Sequence, residues 1–136
     1  MNRPFLLGYQ LLIGFSDTLT GALLIVAPEF TLGLMRLHAP TGSLPFLSFI
    51  GAFVLSVGLA CLYGGLLMAQ RGSPSRLEIV WLLTAFTRAS VAIFVVTQIL
   101  AQTLEAGWMT VAVSDGACVL IQAIGLRQGW LAHVAQ

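Results

Sequence analysis

Long apolar runs separated by short polar connectors dominate the chain. Four runs, at about residues 5–27, 45–69, 77–101 and 108–126, are each long enough for a transmembrane helix. A helix of about 20 residues, rising 1.5 Å per residue, crosses the roughly 30 Å hydrocarbon core of a bilayer. The pattern therefore predicts an all-α transmembrane four-helix bundle that forms a single domain over residues 1–136.

The connector between the first two runs, residues 28–40, has a pattern of its own. Pro28 suits the first turn of a helix, where a backbone N–H would be unpaired in any case. Phe30 and Leu34 then share one face, whereas Arg36 lies off it. We expect a short helix here that lies in the membrane interface.

Small residues recur at helical spacing in three of the runs. In the second run, Gly51, Gly58 and Gly65 follow one another every seven residues and form a stripe. A stripe of this kind lets another backbone approach closely. The stripe is interpreted as a helix-packing surface. If the protein is an accessory subunit, this stripe, which has no charged partner to meet, could face another protein. The corresponding helix-packing residues of the first and fourth runs are Gly14, Gly21, Ala112 and Gly116.

The composition agrees with a membrane protein. Hydrophobic residues make up 58% of the chain and charged residues only 8%, which lies outside the range of a soluble domain. The net charge is +1 and no basic patch is present, so we expect no nucleic-acid partner. Membrane lipids are the expected surroundings.

Three charged residues interrupt the runs near their middles: Asp17 in the first, Arg88 in the third and Asp115 in the fourth. An arginine at this depth is costly unless it is paired, and a guanidinium can bind two carboxylates. We therefore predict a buried charge cluster of Asp17, Arg88 and Asp115. Because one cation faces two acids, we expect one aspartate to be protonated, or to be reached by water or a cation.

A second polar layer is predicted about 10 Å along the helices from the charge cluster. Gln10, Trp81 and Gln122 each lie seven residues from a cluster member, and Thr84 lies between Trp81 and Arg88. Two interpretations are open. These residues line a pocket, or the glutamines bond each other across the helices while Trp81 belongs to an aromatic belt at the membrane surface.

The arginines predict the orientation of the chain. Four spans place both termini and the 70–76 connector on one side of the membrane, whereas Arg36 is the sole arginine of the other side. Positively charged residues are retained in the cytoplasm. We therefore expect a bacterial inner-membrane protein with both termini cytoplasmic. The arginines of that side are Arg3, Arg71, Arg76 and Arg127.

The sequence offers no catalytic motif. The spans contain no histidine to ligate haem, and His38 and His133 are predicted on opposite sides, so we expect no metal. CxxC, HExxH and GxGxxG are absent. Cys61 and Cys118 lie in apolar runs and are interpreted as packing residues rather than a redox pair. We expect no catalytic residues, and no cofactor apart from a bound lipid or quinone.

Four segments resemble small bacterial four-span proteins of the DoxX-like kind. They are APEF after the first run, the glycine-rich second run, TRASVAIF in the third and WMTVAVSDG in the fourth. The resemblance covers most of the chain and implies the four-span fold. Members of that group are linked with membrane redox complexes or have no assigned role, so the resemblance implies no catalytic residues.

Two functions remain. The first, which we expect, is a non-catalytic accessory or interaction subunit of a membrane complex, with other membrane subunits or further copies of the chain as partners. The second is a binder or proton-coupled carrier of a small lipophilic or protonatable molecule such as a quinone, with Asp17 and Asp115 exchanging the proton. Four spans without an inverted repeat or a broken helix disfavour a monomeric transporter.

Overall fold

The computed structural model describes residues 3–70 and 73–133, and these ranges contain helices and no strand. Four helices are long and apolar enough to cross a membrane, and a short fifth helix lies between the first two of them. This confirms the all-α four-span bundle. The helices are α1 (Arg3–Val26), α2 (Pro28–Leu34), α3 (Leu44–Ala69), α4 (Pro74–Leu100) and α5 (Met109–Arg127).

The ends of two helices differ from the predicted boundaries. Helix α4 begins at Pro74 instead of near residue 77, because a proline is well suited to the first helical turn. Helix α2 ends at Leu34, and the chain leaves it through Arg36, whose φ is 56°. The N–H of Leu37 then donates to the carbonyl oxygen of Leu32 at 2.9 Å. The helix therefore occupies only the first half of the predicted 28–40 segment.

Helices α1 and α3 form the most extensive contact in the bundle. Their backbones approach so closely that an added methyl group at Gly21 would meet the backbone nitrogen of Leu55. A methyl group at Gly51 would lie 2.9 Å from the carbonyl oxygen of Gly21. Glycine at these levels is what permits the two backbones to touch.

The glycine stripe of α3 therefore packs inside the molecule, which confirms it as a helix-packing surface, whereas the alternative that it faces another protein is wrong. Gly51 and Gly58 face the backbone of α1, and a methyl group at Gly65 would lie 2.8 Å from Cδ2 of Leu11. The physical reason is that α1 carries small residues at matching levels, since Gly21 lies against Gly51 and Thr18 lies against Gly58.

The two small residues of α5, Ala112 and Gly116, differ in how closely other helices approach them. Ala112 is buried, at 6% exposure. An added methyl group at Gly116 would meet no atom within 4 Å in the described part of the chain. Gly116 therefore packs against no other helix in the described structure, contrary to the prediction, because its Cα faces away from α4.

An apolar cluster closes each end of the bundle. One cluster contains Leu131 from the turn Trp130–His133, so the chain folds back beneath the helices after α5. The other cluster joins the segment after α2 to the start of α3 and to Trp108. Their buried members are Leu6, Leu67, Met68, Leu77, Trp81 and Leu131 at the first end, and Leu32, Leu37 and Leu47 at the second.

The bundle consists of two helix pairs, α1 with α3 and α4 with α5, which meet mainly through α3 and α4. Helices α1 and α5 make no comparable contact in the described residues. The links from α1 to α4 are instead made by long polar side chains, which positions the candidate site between the pairs.

Candidate functional site

Arg88 extends from α4 toward both neighbouring helices. Its Nη2 donates to Oδ2 of Asp17 in α1, and its Nη1 donates to Oδ1 of Asp115 in α5 at 2.5 Å. The structure thus brings the three residues of the charge cluster together. The arginine side chain is 6% exposed, whereas the side chains of Asp17 and Asp115 are 20% and 15% exposed. The cation is therefore central, and the acids form the rim.

The charge cluster connects both helix pairs through one side chain. Charge-assisted hydrogen bonds of this kind are stronger than neutral ones, and the planar guanidinium fixes the direction of each. With every group ionised, one positive and two negative charges would leave the cluster at minus one. Loss of the arginine would leave two carboxylates without a partner in a buried setting, which is strongly destabilising.

Two thiols and a phenol lie close to the same guanidinium. Cys61 in α3 and Cys118 in α5 are buried and unbridged, and both lie near Arg88. The Tyr9 hydroxyl lies near Cys118. Within residues 3–70 and 73–133, no three His, Cys, Asp or Glu side chains converge as a metal site. The surroundings of Arg88 are therefore polar but contain no metal-ligand set in this part of the chain.

Gln10 and Trp81 form one half of a second polar group. The indole Nε1 of Trp81 donates to Oε1 of Gln10 at 2.9 Å, and Nε2 of Gln10 donates to the carbonyl oxygen of Cys61 at 3.0 Å. Trp81 is 0% exposed and its ring meets Tyr9 edge to face. The interpretation of Trp81 as a belt residue is therefore wrong, because its N–H finds a partner inside the bundle.

Gln122 and Thr84 form the other half. Nε2 of Gln122 donates to Oγ1 of Thr84 at 2.9 Å, and the Thr84 hydroxyl donates in turn to the carbonyl oxygen of Val80 at 2.8 Å. Each glutamine thus bonds to α4, and the interpretation that the two glutamines bond each other is wrong. We call Gln10, Trp81, Thr84 and Gln122 the amide layer; none of them is more than 3% exposed.

Two partly open cavities are found in the described structure. One has a volume of 240 Å³, lies between α3 and α4 and is lined in part by Thr84. The other has a volume of 470 Å³ and lies beside α2. Among the residues predicted to line a pocket, Thr84 alone borders either of them.

Arg3 has a structural role that the sequence analysis missed. Its Nη2 donates to the carbonyl oxygens of Met68 and Ala69, at 2.8 and 3.1 Å. These carbonyls lie in the last turn of α3, where no intrahelical donor remains. The available signal was an arginine at the start of the first span, on the side where the second span ends.

The chain matches no protein-family model, no curated protein and no solved structure. The DoxX-like resemblance of its four segments therefore stays a prediction.

Proposed function

We propose that this integral membrane protein is a non-catalytic accessory or interaction subunit of a membrane complex. The observation that carries the proposal is the use of Arg88: both terminal nitrogens of its guanidinium bind carboxylates, and these come from two different helices. A guanidinium that binds carboxylates from two helices links those helices, and its positive charge is already matched by the two acids.

The rim of the charge cluster supports an interaction role. Asp17 and Asp115 keep part of their carboxyl surface exposed near the middle of their spans. A carboxylate edge in contact with lipid is unfavourable, whereas a polar side chain from a neighbouring helix would satisfy it. Gly116 lies beside Asp115 and leaves room for such a helix. The partner would be another membrane subunit or a second copy of this chain.

We further propose that the protein lies in a bacterial inner membrane with both termini in the cytoplasm. Support comes from the arginines: Arg3, Arg76 and Arg127 stand at the helix ends on one side of the bundle, and Arg36 follows α2 on the other. An excess of arginine marks the cytoplasmic side of a membrane protein.

Affinity purification from native membranes tests the proposal. The tagged protein should copurify with a membrane subunit in stoichiometric amount, or migrate as a homo-oligomer by native mass spectrometry. A photo-crosslinking residue at position 116 should give one discrete adduct, whereas the same residue at Phe86, which is 75% exposed, should give none. A monomer without a companion and without an adduct from position 116 would contradict the proposal.

A second candidate is binding or proton-coupled carriage of a small lipophilic or protonatable molecule such as a quinone. It is favoured by three buried polar atoms with no hydrogen-bond partner in the described residues: Nε of Arg88, Oη of Tyr9 and Oε1 of Gln122. The cleft between α3 and α4, at 240 Å³, is smaller than the about 300–1,000 Å³ of ordinary ligand sites. An Arg88→Gln variant that folds but loses binding would favour this candidate.

A further inference from the structure

The cavity beside α2 combines a charged rim with an apolar floor. It has a volume of 470 Å³, within the about 300–1,000 Å³ typical of ligand sites. Glu29, Arg36 and His38 contribute the polar groups. The apolar part consists of Leu32, Leu37 and Leu44. Leu32 and Leu37 are each 3% exposed and pack in the apolar cluster that contains Trp108, so the floor is fixed by the fold.

The charges on this rim are not neutralised by each other. Both ion pairs in the described residues belong to Arg88, so Glu29 and Arg36 form no salt bridge across the cavity. Both side chains are exposed. An acid and a base that share a cavity without pairing complement a ligand that itself carries one charge of each sign.

The position of the cavity suggests where such a ligand comes from. It lies in the segment that connects α1 to α3, at the end of the bundle where these two spans are joined. Phe30 and Leu34 of α2 are 60% and 64% exposed next to it. In a bilayer, exposed apolar side chains at the end of a span lie at the boundary between acyl chains and headgroups.

We propose that the cavity beside α2 binds the headgroup of a zwitterionic aminophospholipid. Arg36 and His38 donate to the phosphate, Glu29 accepts from the primary ammonium, and the start of an acyl chain covers the leucine floor. A phosphate suits a guanidinium, and a primary ammonium has N–H groups to donate, which a quaternary ammonium lacks. The proposal is independent of the charge cluster, since none of its residues takes part.

The backbone at Arg36 offers a sharp test. Its φ of 56° lies in the left-handed region, where glycine is favoured over any residue with a side chain. Arg36→Gly therefore removes the guanidinium without straining the fold. Gln102, with φ of 59°, ends α4 in the same backbone conformation and carries no charge. Gln102→Gly is thus a matched control for the change to glycine.

The experiment measures binding of phosphatidylethanolamine, phosphatidylcholine and phosphatidylglycerol to delipidated protein by native mass spectrometry in detergent. We expect the wild-type protein and Gln102→Gly to bind phosphatidylethanolamine at least tenfold more tightly than the other two. Arg36→Gly should lose at least tenfold in this affinity at unchanged thermal stability. Glu29→Gln should remove the preference over phosphatidylcholine.

Three results would overturn the proposal. They are equal binding of the three lipids by wild-type protein, full phosphatidylethanolamine affinity in Arg36→Gly, and displacement of the lipid by inorganic phosphate at equal concentration, which would indicate a site for free phosphate. If Arg36→Gly fails to fold, Arg36→Gln replaces it, with the same tenfold loss expected and full affinity again overturning the proposal.

Discussion

Helix α1 makes two contacts that are built on different principles. Against α3 it packs backbone to backbone, because glycines such as Gly21 and Gly51 leave no side chain between the helices. Toward α4 it extends polar side chains, which form two hydrogen-bonded links: Asp17 with Arg88, and Gln10 with Trp81. The contact with α3 is a continuous packing of backbones, whereas the contact with α4 consists of two discrete polar links.

The difference follows from the absence of a hydrophobic driving force between helices in lipid. Close packing of small residues supplies van der Waals attraction along the whole α1–α3 contact. Such packing holds α1 against α3, but it does not orient the second pair, α4 and α5. Directional bonds, by contrast, are satisfied in one arrangement only, so Arg88 fixes how the two helix pairs are turned and shifted against each other.

The largest expected effect comes from breaking the charge cluster. Arg88→Gln would leave the carboxylates of Asp17 and Asp115 buried without a cation, and loss of one partner of a buried ion pair costs about 3–5 kcal/mol. Equilibrium unfolding in mixed detergent micelles, followed by circular dichroism, measures the change.

Arg76→Gln provides the matched control. Arg76 is exposed in the first turn of α4 and belongs to neither ion pair of the described residues, so we expect a change within about 0.5 kcal/mol. Adding Asp17→Asn and Asp115→Asn to Arg88→Gln should recover part of the stability, because the unpaired charges are gone. Equal stability of Arg88→Gln and Arg76→Gln would contradict a structural role for the charge cluster.

The contact with α3 is tested by a pair of glycines on α1. A methyl group at Gly21 would meet backbone atoms of Leu55 and Gly51, which no side-chain rotation can relieve, so Gly21→Ala should destabilise by about 1–3 kcal/mol. At Gly8 a methyl group would meet nothing within 4 Å in the described structure. Gly8→Ala should be neutral, or stabilising by about 0.5–1 kcal/mol through helix propensity. The same detergent unfolding assay compares them, and similar losses in both variants would argue against close packing.

The charged contact could be predicted from the sequence because it depends only on fixed helical dimensions. Asp17, Arg88 and Asp115 lie at similar distances from the ends of their runs, and a constant rise of 1.5 Å per residue brings them to one level. Burial of a lone arginine in lipid is unfavourable, which leaves the acids as its partners. The four spans could be predicted for the same reason, since length and hydropathy decide them.

The choice of neighbours could not be predicted in the same way. Gly51 and Gly58 look identical whether they face α1 or a foreign helix, because a glycine stripe identifies no partner. The partners of Gln10 and Gln122 likewise depend on the rotation of each helix about its own axis. A periodicity fixes which residues share a face, but it does not fix which neighbour that face meets.

A smaller effect is expected from the second polar link. Trp81→Phe keeps an aromatic ring but removes the N–H that binds Oε1 of Gln10. Polar bonds between membrane helices contribute about 0.6 kcal/mol on average and at most about 1.7, so a loss near 1 kcal/mol is expected in the unfolding assay. Trp130→Phe also removes an indole bond, to the exposed Gln128, and should cost less than half as much. A larger loss of stability in Trp130→Phe than in Trp81→Phe would contradict a stabilising role of the buried link.

The smallest effect is expected at Gly116, and it bears on the face where α1 and α5 leave the rim of the charge cluster open. A methyl group there would meet no atom within 4 Å of the described chain, so Gly116→Ala should change the unfolding free energy by no more than a few tenths of a kcal/mol, or increase it through helix propensity. If a partner helix lies against this face in the native complex, the same methyl group must displace it. Gly116→Ala should then reduce the amount of copurified subunit while the isolated protein stays equally stable, whereas Gly8→Ala should change neither. If Gly116→Ala copurifies the full amount of subunit, the partner does not bind at the acidic rim, and the charge cluster has a role inside the bundle alone.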